Sequence, residues 1–331
     1  MATALLQALR RGFPDAAIDW AVGSTSLGAI GTHPSLRHVL FTGKRANPAS
    51  RPRELLKLVR LLRSHPYDLV VVPDRSPLLG LATLLARIRQ RAGLDSARRG
   101  FAYTIKAPIN PHEVRHEADI YLDVGRALKI DVNDCWVNVP PAPDALTHAD
   151  QIMASNGLAP HGFLIVHPGG GVNAGMTMTE KRWPADRFAA LAHRLATTFN
   201  LQIVVIGTAS DQSAVGQFKA YLQHPVVDLT QHLALSVTGA LASRSALYIG
   251  NDNGVAHLAA ASGGKVLMIF GPSDPRRYAP FVPPDRARAV WRQVDLPAAG
   301  VSAGKPRSFS WERDGVTVDE AWEPAQALLT V

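Results

Sequence analysis

Short apolar segments alternate with amphipathic segments along most of the chain. In the second half the apolar runs are nearly continuous in Val, Ile and Leu, as in FLIVH, LQIVVIG, ALYIGN and KVLMIFG. Amphipathic stretches with apolar residues at helical spacing follow them, such as RFAALAHRLATTF. Strands that are buried on both faces and alternate with helices are typical of a parallel sheet covered on both sides. The pattern therefore predicts an α/β fold.

The first half shows the same alternation less regularly. Its predicted strands are AIDWAV, HVLF, DLVVV and RRGFAY, and its predicted helices include RELLKLVRLLRS and SPLLGLATLLARIRQ. Three prolines in VNVPPAPDALTHAD then interrupt the pattern. Because 331 residues are also many for one core, we predict two domains, 1–150 and 151–331. We expect the last helix, 317–329, to pack back on the N-terminal domain.

Composition narrows the class of protein. The single cysteine, Cys135, excludes an intrachain disulfide and favours a reducing, cytoplasmic setting. The longest apolar run, LLGLATLLARI, has the length of a core helix and falls short of the roughly 20 residues of a membrane span. The twelve histidines form no HExxH pair, so the sequence predicts no metal site and no metal cofactor.

The formal charge of +8 is concentrated in the first half. This charge indicates either solvated helix faces or a surface for an anionic partner. Nucleic acid is disfavoured because no aromatic side chains are interleaved with the basic ones. A membrane surface or a phosphorylated substrate fits better. The basic residues are Lys44, Arg45, Arg51, Arg53, Lys57, Arg60, Arg63, Arg87, Arg89, Arg91, Arg98 and Arg99.

Ligands of parallel α/β sheets collect at the carboxyl ends of the strands. The first such end, HPGGGVNAGMTMTEKRWP, combines three glycines with Thr177, Thr179 and Lys181. The glycines alone suggest a flexible turn. Hydroxyls and an ammonium just before a helix are groups that a phosphate or diphosphate needs.

Three further strand ends carry polar residues. In VIGTASDQ, Asp211 is either a first-turn acid of a helix or a partner of ribose hydroxyls. In YIGNDNGVAHLAAASG, Asp252 suits neutral sugar hydroxyls, whereas free N–H groups from Asn253 onward suit phosphate. His257 is either a structural hydrogen bonder or a ligand contact. In FGPSDP, Ser273 either closes the same pocket or shapes the turn.

The motifs HPGGG, KRWP, GNDNGVAHLAAA and FGPSDP, in this order and spacing, resemble those of family 9 glycosyltransferases, the heptosyltransferases of lipopolysaccharide core synthesis and their relatives. The resemblance implies a GT-B-like fold of two Rossmann-like domains whose parallel sheets face a cleft. It also implies an inverting, metal-independent sugar transfer. The donor would be a nucleotide-diphosphate sugar, typically ADP-heptose, and the acceptor an anionic saccharide or glycolipid. We accordingly expect a cytoplasmic enzyme with peripheral contact to the inner membrane face.

The same resemblance implies roles for individual residues. Diphosphate contacts fall to Thr177 and Lys181, together with Asn253 and Gly254, where the family usually has Thr in place of Asn253. Asp211 matches the ribose-binding acid, although the family more often has Glu. Asp252, His257 and Ser273 would contact the donor sugar or shape its site.

In the family, a strand and a GD turn whose Asp is the expected base precede a helix like TALLQALRRGFP. Here that helix begins at residue 2, so we expect an N-terminal domain that lacks its first strand. The favoured hypothesis is that Met1 is an internal residue of a longer protein; the other is genuine truncation. Asp74, after DLVVV, is the substitute base considered. Two alternative functions stay open, a catalytically impaired nucleotide-sugar binder and an epimerase-like GT-B enzyme.

Overall fold

The computed structural model describes residues 1–44, 49, 51–173, 176–231, 233–294 and 309–330. Its contacts divide the chain into two units, Met1–Val137 and Asn138–Val331. The division precedes the predicted boundary at residue 150 because the helix α6 (Pro143–Ser155) packs on α9 (Leu235–Arg244) of the second unit. Within the described part of the chain, no helix has the length and apolar character needed to cross a membrane.

The first unit contains two parallel sheets of short strands. One sheet pairs β1 with β2, and the other has the order β3-β4-β5. The helices α1 and α5 pack on each other. The elements are α1 (Thr3–Gly12), β1 (Asp19–Val22), α2 (Ser24–Ile30), β2 (His38–Phe41), α3 (Pro52–Arg63), β3 (Leu69–Val72), α4 (Pro77–Leu85), β4 (Gln90–Ser96), β5 (Ile105–Ile109) and α5 (Glu117–Ala127).

Side-chain bonds connect the pieces of the first unit. Asp19, at the start of β1, accepts hydrogen bonds from Arg37 at 2.7 and 2.9 Å and from the hydroxyl of Tyr67 at 2.8 Å. Tyr67 precedes β3, so this carboxylate links the two sheets. Arg75, after β3, forms a bidentate pair with the buried Glu117 of α5 at 2.9 and 3.2 Å.

The predicted strand RRGFAY is wrong. These residues, 98–103, lie in turns and loop, and Arg98 and the preceding Ala97 have positive φ values of 62° and 50°. The strand lies just before it, as β4 in QRAGLDS, where the apolar pattern is weak. Gly93 of β4 leaves room for the ring of Tyr103, since a Cβ there would lie 2.4 Å from it.

The second unit is a regular doubly wound fold. Its main sheet is parallel throughout, with the order β10-β9-β6-β11-β12-β13. The remaining elements are β6 (Phe163–His167), β7 (Val172–Asn173), β8 (Met176–Thr177), α7 (Ala185–Phe199), β9 (Gln202–Val205), α8 (Gln212–Tyr221), β10 (Val226–Asp228), β11 (Leu247–Asn251), α10 (Gly254–Ala261), β12 (Val266–Ile269), α11 (Pro275–Tyr278), β13 (Ala287–Val290), α12 (Trp311–Asp314) and α13 (Val318–Thr330).

Both faces of this sheet are buried, as the continuous apolar runs predict. Along β6, Phe163 and Ile165 belong to a core with α6, α9 and α10, whereas Leu164 and Val166 belong to a core with α7, α8 and α13. The last helix, α13, thus packs on α7 and β13 within the second unit. Its expected contact with the first unit stays a prediction.

Candidate active site

The candidate site lies at the carboxyl edge of the main sheet of the second unit. The strands β9, β6, β11 and β12 are neighbours in this sheet. Because parallel strands end at one edge, the four loops predicted from the sequence follow adjacent strand ends. Hydrogen bonds between these loops then position the individual side chains.

The loop after β6 requires its glycines. Gly170 and Gly171 have φ values of 97° and 77°, a region that side chains rarely adopt. A Cβ on Gly170 would lie 2.5 Å from Nδ2 of Asn253, and a Cβ on Gly169 would lie 2.2 Å from Oδ1 of Asp211. The loop is therefore tightly packed and has a defined path instead of being a flexible turn.

Asp211 is buried and fixes this loop. Its Oδ1 accepts a hydrogen bond from the N–H of Gly170 at 2.8 Å, and its Oδ2 accepts two from Thr208 at 2.9 and 2.8 Å. The guanidinium of Arg182 lies 3.4 Å from Oδ1, and Nε2 of His167 lies 3.5 Å from Oδ2. These groups fill the acceptor positions of both oxygens, so the geometry favours the structural role of Asp211 over the ribose contact, which stays a prediction.

The electrostatics agree with that role. Burial raises the pKa of Asp211, but the nearby imidazole of His167 and the hydrogen bond from the N–H of Gly170 outweigh that effect. The pKa of this carboxyl lies well below its ordinary value, so Asp211 is ionised at neutral pH. Arg182 supports the same loop by donating to the carbonyl of Gly170 at 2.8 Å.

Asn251, at the end of β11, joins three segments of the site. Its Oδ1 accepts from the N–H of Trp183 at 2.8 Å, while its Nδ2 donates to the carbonyls of Pro168 and Gly169 at 3.1 and 2.9 Å. The side chain is completely buried. Sequence reasoning missed this role, because an Asn at a strand end gives no sign of which distant backbone it will bond.

Asn253 caps the helix α10. Its Oδ1 accepts from the N–H groups of Val255 and Ala256 at 2.9 and 3.1 Å. Two of the N–H groups that we expected to be free are thus occupied by the cap itself. The N–H groups of Asn253 and Gly254 donate no hydrogen bond to another described residue. The Nδ2 of Asn253 is also buried without a partner in that part of the chain.

The most concentrated chemistry surrounds Asp252, which is only 7% exposed. Its Oδ2 accepts from Nζ of Lys181 at 2.5 Å and from Oγ of Ser273 at 2.7 Å, and its Oδ1 lies 3.8 Å from Nε2 of His257. Burial raises the pKa of Asp252, but His257 and Lys181 lower it well below its ordinary value. We call these four side chains the Asp252 cluster.

The structure thus unites Lys181, Asp252, His257 and Ser273, which the sequence had placed on three separate loops. Thr177 lies in β8, which pairs with β7, and its hydroxyl contact with a diphosphate stays a prediction. Asp74 belongs to the first unit, where it is exposed and accepts from the N–H of Ser76 at 2.6 Å ahead of α4.

Comparison with known proteins identifies the family. The model of glycosyltransferase family 9 (heptosyltransferase) matches residues 55–297. Lipopolysaccharide heptosyltransferase 3 of Escherichia coli is 22% identical over 288 residues, which cover 85% of this chain and 82% of that protein.

Two solved structures share the fold. A family 9 glycosyl transferase from Veillonella parvula matches with a TM-score of 0.77 at 20% identity, covering 99% of this chain and 93% of that chain. The ADP-heptose lipopolysaccharide heptosyltransferase II of E. coli matches with a TM-score of 0.73 at 20% identity, covering 99% and 94%. The chain belongs to glycosyltransferase family 9. The α/β, GT-B-like fold class and the glycosyltransferase activity expected from the sequence are thereby confirmed.

Proposed function

We propose that this glycosyltransferase moves a heptose-like sugar from ADP-heptose to a lipopolysaccharide-core or other cell-envelope saccharide. The observation that carries the proposal is the Asp252 cluster. It lies beside the start of α10, where the cap leaves the N–H groups of Asn253 and Gly254 unoccupied among the described residues. The names of the similar proteins support the substrate class, since one is an ADP-heptose lipopolysaccharide heptosyltransferase. Another is a lipopolysaccharide heptosyltransferase.

The donor diphosphate is assigned to Lys181, Thr177 and the backbone of Asn253 and Gly254. An ammonium and the N–H groups of a helix N-terminus both stabilise phosphate oxygens. In the structure Lys181 pairs with Asp252, so the lysine compensates a carboxylate that would otherwise repel a diphosphate. We expect Lys181 to bind the diphosphate while keeping Asp252 within reach.

The donor sugar is assigned to Asp252, with His257 and Ser273 shaping its surroundings. An ionised carboxylate accepts hydrogen bonds from neutral hydroxyls. Because the pKa of Asp252 is held low, this acceptor is available throughout the physiological pH range. Asp211 is assigned to the loop that carries the site, with a ribose contact as the finer prediction.

The proposed reaction is an inverting displacement. The acceptor oxygen forms a bond to the anomeric carbon while the bond to the diphosphate oxygen breaks, and a base takes the acceptor proton. Lys181 and the start of α10 stabilise the charge that develops on the leaving diphosphate without a metal ion. Asp74, the acid that follows the strand DLVVV, is the candidate base.

We place the enzyme in the cytoplasm, in peripheral contact with the inner membrane face. The basic first half of the chain supports this assignment, because a cell-envelope acceptor and an anionic lipid surface both carry negative charge.

Titration calorimetry with ADP and ADP-heptose, in the presence of a chelator, tests the donor assignment. A transfer assay with a core-oligosaccharide acceptor, followed by NMR of the product's anomeric configuration, tests the reaction. Binding without transfer would favour the nucleotide-sugar binder, and loss of binding in chelator would contradict metal independence. Full transfer by an Asp74→Asn variant would eliminate Asp74 as the base.

A further inference from the structure

Tyr248 lies in the main sheet of the second unit, with its hydroxyl against His167. It belongs to β11, and its pairing partner in the neighbouring strand β6 is Ile165. Gly250 pairs with His167 at the end of β6, and a Cβ on Gly250 would lie 2.9 Å from the ring of Tyr248. The glycine therefore leaves the space in which this ring reaches His167.

The hydroxyl of Tyr248 and the imidazole of His167 form a buried pair. Tyr248 is completely buried, His167 is 3% exposed, and Oη lies 3.0 Å from Nδ1. Among the described residues, Nδ1 is the one hydrogen-bond partner of this hydroxyl. Burial raises the pKa of Tyr248 well above its ordinary value, so the hydroxyl keeps its proton. Because an unpaired buried O–H costs free energy, the hydroxyl donates and Nδ1 accepts.

The other ring nitrogen of His167 faces Asp211. Nε2 is buried 3.5 Å from Oδ2 of Asp211, and apart from that contact it has no hydrogen-bond partner among the described residues. The ionised carboxylate repels a lone pair on Nε2 and attracts an N–H. The imidazole therefore carries its proton on Nε2. Asp211 in turn accepts from the N–H of Gly170 at 2.8 Å.

We propose that Tyr248 and His167 are positioning residues for the sugar-nucleotide donor: they hold Asp211, and through it the glycine loop, in the conformation that receives the diphosphate. The inference rests on the proposed function for the identity of the ligand. The loop lies against the start of α10, since a Cβ on Gly170 would lie 2.5 Å from Nδ2 of Asn253. A shift of Asp211 would thus reach the N–H groups assigned to the diphosphate.

The pair should act on donor binding and not on the chemical step. A loop that is held in place before the donor arrives loses less conformational entropy on binding. Without the hydroxyl of Tyr248, a smaller fraction of molecules has the receptive loop, and the apparent affinity falls by that fraction. Once the donor is bound, its own contacts order the loop, so kcat depends little on Tyr248.

Tyr248→Phe tests the proposal by calorimetry with ADP and by the transfer assay with ADP-heptose. Loss of one neutral hydrogen bond should raise the dissociation constant for ADP, and KM for ADP-heptose, about 2- to 10-fold, with kcat nearly unchanged. Tyr221→Phe removes the hydroxyl of an exposed tyrosine, and Ile165→Val removes a buried methyl group from the same core as Tyr248. Both controls should bind ADP as the parent chain does.

Two variants of His167 separate its ring nitrogens. A glutamine amide reaches the position of Nε2 and can donate to Asp211, whereas an asparagine amide reaches only the position of Nδ1. His167→Gln should therefore keep more of the ADP affinity than His167→Asn, in variants that circular dichroism shows to be folded. Equal losses would contradict the role of Nε2.

The position of the proton is measured on the parent chain itself. Nitrogen-15 NMR of labelled histidines distinguishes a protonated ring nitrogen from a bare one, and the signals absent from His167→Gln are those of His167. We expect a bare Nδ1, a protonated Nε2 and a shifted Nδ1 signal in Tyr248→Phe. A proton on Nδ1 would overturn the inference.

The outcomes separate this inference from the proposed function. A parent chain that binds ADP, with a Tyr248→Phe variant that binds it equally well or no worse than Ile165→Val, would overturn the inference alone. A parent chain that binds neither ADP nor ADP-heptose would overturn the proposed function, and with it any role of Tyr248 in donor binding.

Discussion

The two units differ in where their candidate functional side chains lie. In the second unit, Asp211, Asn251 and Asp252 are buried at the carboxyl edge of one six-stranded sheet and bond to one another's loops. In the first unit, the sheets have two and three strands, and Asp74 and the cations of α3 point to solvent. The difference indicates a site organised before any ligand arrives in one unit, and a surface that exposes its charges and leucines in the other.

The largest expected effect comes from Asn251→Ala, which tests how far the second unit depends on its buried side-chain bonds. The change removes three hydrogen bonds and leaves their backbone partners buried, which should cost about 3 kcal/mol in the free energy of unfolding. Urea denaturation measures it. The exposed Asn133→Ala in the first unit is the control and should stay within about 0.5 kcal/mol; equal losses in both variants would remove the contrast.

Lys181→Met tests whether the Asp252 cluster holds the donor. Loss of one charge-assisted contact should weaken ADP binding by about 1.5–3 kcal/mol, or roughly 10- to 150-fold. Calorimetry measures the dissociation constant. Lys219→Met, which breaks the exposed pair with Asp228, should leave it unchanged. Unchanged affinity in Lys181→Met would exclude this lysine from the site.

Gly170→Ala tests the packing of the glycine loop. The new Cβ would meet Nδ2 of Asn253 in a backbone conformation with φ of 97°, so we expect a loss of about 2 kcal/mol in stability. Gly216→Ala is the matched control, because a Cβ there has open space within α8 and should stabilise by about 0.5–1 kcal/mol. A neutral Gly170→Ala would show that the loop adapts easily.

The smallest expected effect concerns Asp19, the link between the sheets of the first unit. The hydrogen bond from Arg37 lowers the pKa of Asp19 from 3.8 to about 2. The resulting stability is therefore present above pH 3.8 and lost as the pH falls through about 2. Because Arg37 is partly exposed, solvent weakens the pair, and we expect the ionised Asp19 to contribute about 1 kcal/mol to the free energy of unfolding.

Asp19→Asn isolates that contribution. The variant should be less stable than the parent chain at neutral pH, and the difference should shrink between pH 3.8 and about 2. Thermal unfolding of both chains across this range measures it. A difference that stays constant with pH would show that Asp19 acts through packing instead of charge.

The sequence predicted the second unit better than the first, for a physical reason. Continuous apolar runs such as FLIVH, short and alternating with amphipathic helices, are typical of strands buried on both faces, so the alternation predicts the sheet. In the first unit the strand QRAGLDS has few apolar residues, and its place in the sheet depends on Gly93 admitting the ring of Tyr103. That contact comes from the tertiary fold and leaves no periodic signal.

The candidate site was also predictable from the sequence only in part. Its location could be predicted, because parallel strands bring HPGGG, GNDNG and FGPSDP to one edge. The partners could not be predicted. Asp211 accepts a hydrogen bond from the N–H of Gly170 in the glycine loop, and Asn253 accepts one from the N–H of Val255 in its own helix. Each choice depends on which backbone groups lie within about 3 Å once the loops have packed.

The sequence by itself thus determined the α/β class, the family and the four loops of the site, because each depends on local pattern and on the fixed connectivity of parallel strands. Only the tertiary structure decided that Lys181 meets Asp252, that Asn251 joins three segments and that Leu84 and Leu85 of α4 are exposed while Ala82 is buried. A helical apolar run specifies a helix but not which side is covered, because burial depends on what the rest of the chain packs against it.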